Sequence, residues 1–80
     1  MEARIIDLSQ ANDKGVMTFA SFWRLMEKHP PENYKGTQII LTGRAPTWAY
    51  LLAYERFRPV ASRIDFHSPR DGQIKIYEAK

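Results

Sequence analysis

The stretch that most constrains this chain is "TQIILTGRAPTWAYLL", residues 37–52. Ile39, Ile40 and Leu41 follow one another with no polar residue between them, the pattern of a strand covered on both faces rather than one that alternates between core and water. Gly43 breaks the run, Arg44 follows at once, and Pro46 stands in the first turn of a helix, where its missing N–H costs nothing. That helix continues through "TWAYLLAYERF", and Pro59 closes it. A strand handed to a helix across a Gly-Arg turn is half of a βαβ unit, and the flanking sequence supplies the other halves.

Upstream, "ARIIDL" (3–8) is a short apolar run that ends in polar turn residues, "SQANDKG", and reads as a first strand and a loop. In "TFASFWRLMEKH", Phe19, Phe22, Trp23 and Met26 recur at helical spacing behind an N-cap at Thr18, with Arg24, Glu27 and Lys28 on the opposite face. Pro30 and Pro31 stop that helix. Downstream, "VASRIDFH" (60–67) alternates, placing Ile64 and Phe66 on one face and Arg63, Asp65 and His67 on the other. "SPRDG" signals a turn and "QIKIYEAK" alternates again, so residues 60–80 read as a terminal hairpin. The order β-α-β-α-β-β predicts an α/β, Rossmann-like domain: a mostly parallel four-stranded sheet with right-handed crossovers and an antiparallel edge strand. With 80 residues there is room for one core, so residues 1–80 form a single domain.

A chain this short buries a modest share of its surface, and with no cysteine it lacks both disulfides and cysteine-ligated metal as staples. Self-association is the remaining way to cover apolar surface. Trp48, Ala49, Tyr50, Leu51, Leu52, Ala53, Tyr54 and Phe57 leave the second helix almost no polar face, which predicts a homodimer interface along it. The competing reading is that its tyrosine hydroxyls face water. The N-terminal "MEARIIDLSQ" lacks the character of a secretory signal, no stretch has the length of a membrane span, and the absence of cysteine fits a reducing compartment; a cytoplasmic protein is expected.

The formal charge is +3, and the excess lies in the second half of the chain, where Arg44, Arg56, Arg58, Arg63 and Arg70 are the main cations. Arginine's planar fork suits phosphate, although solvated surface charge explains the same composition. In a parallel sheet, ligands gather beyond the carboxyl ends of the strands. There Gly43 would let the backbone approach a ligand, the helix N-terminus would offer amides and positive dipole character, and Arg44 and Thr47 would add a charge and a hydroxyl. The pattern is neither a P-loop nor a dinucleotide fingerprint, and a structural turn with an exposed arginine accounts for it equally. If the third strand is parallel to the second, "HSPRDG" reaches the same edge, and His67, Ser68 and Arg70 face the same crevice. Arginines would hold oxyanions there and His67 would move a proton. The turn's composition alone also explains a plain hairpin and a solvated histidine. No metal site is expected: His29 adjoins two prolines, and His67 has only Asp65 near it on its strand face.

"ILTGRAPTWAYLLAYERF" followed by "SPRDGQIKI", spanning roughly residues 37–77, resembles the small CRISPR-associated ring-nuclease family of type III systems. That family joins a strand, Gly-Arg-Gly-Pro, an aromatic-rich helix, and a strand ending in Asp-Pro-Arg. The resemblance implies a Rossmann-like domain that dimerises and binds cyclic tetra-adenylate between dimers, with manganese-dependent cleavage. Gly43, Arg44, Pro46 and Trp48 match the first motif, and Pro69 and Arg70 the second. Three positions depart: Ala45 replaces the second glycine, Tyr50 stands where a histidine is expected, and Ser68 replaces the aspartate. Binding groups are thus kept better than acid, base or metal groups. Taking the sheet-edge reading and this resemblance together, Gly43, Arg44, Ala45, Pro46, Thr47, Trp48, Tyr50, Ser68, Pro69 and Arg70 would contact the ring, and His67 and Arg70 would carry any cleavage. No cofactor is expected, manganese being implied by the family and not by these residues. Three functions follow: a protein that lowers free messenger by sequestration or slow cleavage, a multiple-turnover ring nuclease, or a small RNA-binding module.

Overall fold

A computed structural model describes residues 3–80 of the chain. It contains strands β1 (Ala3–Asp7), β2 (Gln38–Thr42), β3 (Arg63–Ser68) and β4 (Gly72–Glu78), and helices α1 (Phe19–Glu27) and α2 (Thr47–Phe57), with short 3₁₀ turns at Leu8–Ala11 and Pro31–Tyr34. The four strands form one sheet in the order β1-β2-β3-β4. The first three run parallel and β4 returns antiparallel to β3. This is the mixed α/β, mostly parallel sheet that the alternation of patterns predicts. Among the described residues, no helix is long and apolar enough to cross a membrane.

Local chemistry explains most element ends. The Thr18 hydroxyl accepts from the Ser21 amide at 3.0 Å, and Ser21 Oγ accepts from the Thr18 amide at 2.9 Å, so a reciprocal capping box opens α1. Two boundaries differ from the sequence reading. Pro46 is the N-cap of α2 rather than its first helical residue, and its carbonyl accepts from Ala49 N at 3.0 Å. Strand β3 begins at Arg63 and not Val60, because the amides of Val60 and Ala61 still bond to the Phe57 carbonyl at 3.1 and 2.9 Å. The predicted loop after β1 also winds into a 3₁₀ turn, with the Asp7 carboxylate capping the Ser9 amide.

A strand order that always advances in one direction, with right-handed crossovers, places both helices on one side of the sheet. One core holds them: Phe22, Leu25 and Met26 of α1 and Ala49, Ala53 and Phe57 of α2 pack on Ile6, Ile39, Leu41 and Ile64. The molecule is accordingly two layers deep, with a shortest dimension of 18 Å. This corrects the expectation that β2 is covered on both faces. Ile40 is only half-buried, and its neighbour Ile5 on the open face is 67% exposed.

The open face has one unexpected feature. Asp65, on the strand face opposite Ile64 and Phe66, is fully buried. Its carboxylate takes a forked pair of hydrogen bonds from Arg63, at 2.7 and 3.1 Å, and further ones from the amides of Gln38 and Gln73. Opposite it, the β3–β4 register shifts between Ile64 and Asp65. That bulge lets consecutive Ile76 and Tyr77 both reach the helical side: Ile76 lines a groove with α2, and the Tyr77 ring meets Tyr54 edge-on at 6.3 Å.

Candidate functional site

The Gly43-Arg44 turn has a structural reason before it has a chemical one. Gly43 has φ +102°, a conformation L side chains rarely adopt, and a Cβ there would lie 2.1 Å from Asp7 Oδ1 and 2.7 Å from the Ser9 amide. The space is therefore filled by the end of β1, not kept open for a ligand. Asp7 Oδ1 accepts from Ser9 N at 2.9 Å and Ser9 Oγ at 2.5 Å. From the other side, the Tyr50 hydroxyl donates to the Gly43 carbonyl, and Asn12 Nδ2 donates to the Arg44 carbonyl at 3.2 Å. The backbone of the turn is thus clamped by β1, by α2 and by the loop before α1. The Arg44 side chain is left exposed, with no hydrogen-bond or ion-pair partner among the described residues.

Because β2 and β3 are parallel, the carboxyl ends of both strands meet at this edge. A cleft of about 410 Å³ opens there, walled by Gly43, Arg44, Ala45 and Tyr50 on one side and by Phe66, His67 and Pro69 on the other, with Thr42 between. His67 is exposed, and its Nδ1 lies 3.3 Å from Thr42 Oγ1. Ser68 adjoins the cleft but is turned into its own bend: its Oγ accepts from the amides of Arg70 and Asp71 at 3.3 and 3.2 Å. Arg70 is exposed on that bend and lies outside the cleft's lining. Pro46 and Trp48 face a second cleft of about 320 Å³ on the far side of Arg44, and Thr47 faces an apolar groove of about 490 Å³ beside α2. The structure therefore brings Gly43, Arg44, Ala45, Tyr50, His67 and Pro69 together, and sets Arg70, Pro46, Thr47 and Trp48 around them.

Charge at the edge is simpler than the arginine content suggests. Arg63 is committed to Asp65, and Arg56 donates to the Met26 carbonyl at 3.2 Å while its guanidinium lies over the Trp23 ring at 5.6 Å. Of the cations named from the sequence, Arg44 and Arg70 remain at the carboxyl edge. Burial, with the Asp7 charge adding to it, pushes the Tyr50 phenol above its ordinary value, so it stays a hydroxyl and a donor. Neither Tyr50 nor Ser68 is available as a base: one hydroxyl holds the Gly43 carbonyl and the other holds two amides. His67 is the single imidazole in the cleft. Among the described residues, no group of three or more His, Asp or Glu side chains could hold a metal ion. The arrangement suits holding an anion against the exposed Arg44 guanidinium.

Sequence reasoning missed Asp7, Thr42 and Phe66 at this edge. Asp7 left one readable trace, an Asp two residues before Ser9 at the end of an apolar run, which is an Asx-turn pattern. Comparison with protein families, with curated proteins and with solved structures returned no match.

Proposed function

We propose that this protein is a type III CRISPR accessory protein that binds a cyclic oligoadenylate, cyclic tetra-adenylate first among them, and lowers its free level by holding it or cleaving it slowly. The observation that carries this reading is a division of labour at the carboxyl edge. Arg44 is left free on a rigid turn, while the groups at the family's acid and base positions, Ser68 and Tyr50, are spent on backbone hydrogen bonds. A guanidinium beside a helix N-terminus binds phosphate; a cleft with one imidazole and no second proton carrier favours retention over turnover.

The β1-α1-β2-α2-β3 segment has the strand order and one-sided helices of a single mononucleotide-binding half, which supports the Rossmann-like reading. A ring of phosphates repeated about an axis suits a pocket repeated the same way, so the proposal includes a homodimer. The apolar groove along α2, with Leu51 61% exposed, supplies an interface of suitable character.

The test is incubation of the pure protein with cyclic oligoadenylates of several sizes, followed by chromatography and calorimetry. The tetra-adenylate ring is expected back intact, bound at wild type and about tenfold or more weaker for Arg44→Ala. Linear product exceeding the protein present would replace sequestration by a ring nuclease using His67, and preference for long single strands would replace both by an RNA-binding module.

A further inference from the structure

We infer that the cleft on the far side of Arg44 is an adenine subsite, receiving the base of a nucleotide whose phosphate rests on that arginine. The inference rests on reading Arg44 as the phosphate ligand, and it adds residues that no motif contains. The cleft measures about 320 Å³ and is bounded by Asn12, Val16, Met17, Arg44, Pro46 and Trp48. That volume is at the lower end of the range of small-molecule clefts, about 300–1,000 Å³, so it suits one base with its sugar rather than a whole ring.

Each wall has the chemistry that a purine requires. Trp48 supplies an aromatic ring to the lining, and outside the lining the 61% exposed Phe19 ring packs against it at 6.1 Å. Met17 adds a polarisable thioether and Pro46 a flat apolar ring, both good partners for a π surface. The rim is held rigid by a tight two-residue turn: Asp13 N donates to the Val16 carbonyl at 2.7 Å and Val16 N to the Asp13 carbonyl at 3.0 Å, with Lys14 and Gly15 both at positive φ.

Asn12 decides between bases. One of its amide hydrogens is committed to the Arg44 carbonyl at 3.2 Å, which fixes the side chain beside the phosphate-binding turn. Its carbonyl oxygen and second N–H have no protein partner among the described residues. An acceptor and a donor side by side complement the amino group and ring N7 of adenine; guanine presents acceptors at both places and would leave the Asn12 oxygen opposed. Arg44 lines this cleft and the His67 cleft alike, so a nucleotide can place its base in one and its next linkage toward the other.

The test is an NMR titration of the protein with AMP, GMP and ribose 5-phosphate, following the Asn12 side-chain amide, the Gly15 amide and the Trp48 indole N–H. AMP is expected to move all three signals, GMP to bind about tenfold more weakly, and ribose 5-phosphate to leave them in place. Asn12→Ala is expected to abolish the preference for AMP over GMP. Equal shifts with ribose 5-phosphate, or no shift with AMP, would overturn the subsite. The same variant is then titrated with cyclic tetra-adenylate and cyclic tetra-uridylate. Tight binding of both rings, unchanged by Asn12→Ala, would remove the base subsite and leave ring binding standing. AMP shifts without binding of either ring would do the reverse.

Discussion

At the scale of single residues, Gly43 shows how one feature can invite two explanations that only geometry separates. A glycine between a strand and a helix is the usual sign of close approach by a ligand, yet here the approaching group is the chain's own Asp7 carboxylate. The two accounts differ in what substitution does. Gly43→Ala places a methyl carbon in the Asp7 position at a backbone angle that alanine resists, and is expected to destabilise the protein by about 2–4 kcal/mol. Gly15→Ala, also at positive φ but with nothing within 4 Å of the added carbon, is expected to cost only about 1 kcal/mol. Urea unfolding of the two variants checks this; equal losses would mean that backbone angle alone, and not the Asp7 contact, makes the glycine necessary.

At the scale of elements, α2 does most to connect fold and function. Its buried stripe of Ala49, Ala53 and Phe57 is narrow because alanines let the helix sit close to the sheet. Its flanks remain half-covered, with Tyr50 on the Gly43 turn and Leu51 facing Ile76 of β4 across the apolar groove. The bulge in β4 enlarges that apolar surface by turning Ile76 and Tyr77 the same way. If this groove is the dimer face, a charge in its middle should be intolerable to the partner and harmless to the fold. Leu51→Glu is expected to sediment as a monomer where wild type sediments as a dimer, with an unchanged circular dichroism spectrum. A monomeric wild type would remove the dimer from the proposal.

At the scale of the whole molecule, a one-sided sheet leaves an open face that must be stable in its own right, and Asp65 anchors it. Burial alone would raise the Asp65 pKa, but the hydrogen bonds from Arg63, Gln73 and Gln38 and the Arg63 charge outweigh it, holding the carboxyl below its ordinary value. A carboxyl with a depressed pKa in the folded state contributes stability above its unfolded value, about 3.9, and loses that contribution as pH falls through the folded one. His29 adds a second step at higher pH. Burial, then the charges of Arg4 and Lys28, lower its pKa, so the unfolded chain binds the proton more readily and stability declines as pH falls below about 6.5. Melting temperature measured against pH should therefore show two descending steps toward acid. His29→Gln should erase the upper step and Asp65→Asn the lower, the latter also costing about 2 kcal/mol at neutral pH.

What the sequence by itself determined were the element types and their order, because period and punctuation are local: prolines after α1, a capping threonine, alternation in β3 and β4. It also marked Arg44 and the Ser68-Pro69-Arg70 bend, since charged turn residues are visible without a fold. Tertiary structure decided the rest. A run of three apolar residues looks the same whether one or both faces of its strand are covered, so the open face of β2 depended on strand order. Among the partners of Asp65, Gln38 comes from a strand 27 residues away, and Gly43 meets Asp7 of β1 as well as Tyr50 of α2, contacts that only the pairing of the strands brings together. Which hydroxyls are occupied by backbone was decided there too, because the conformation of the Ser68 bend and the packing of α2 fix which amides and which carbonyl Ser68 and Tyr50 meet.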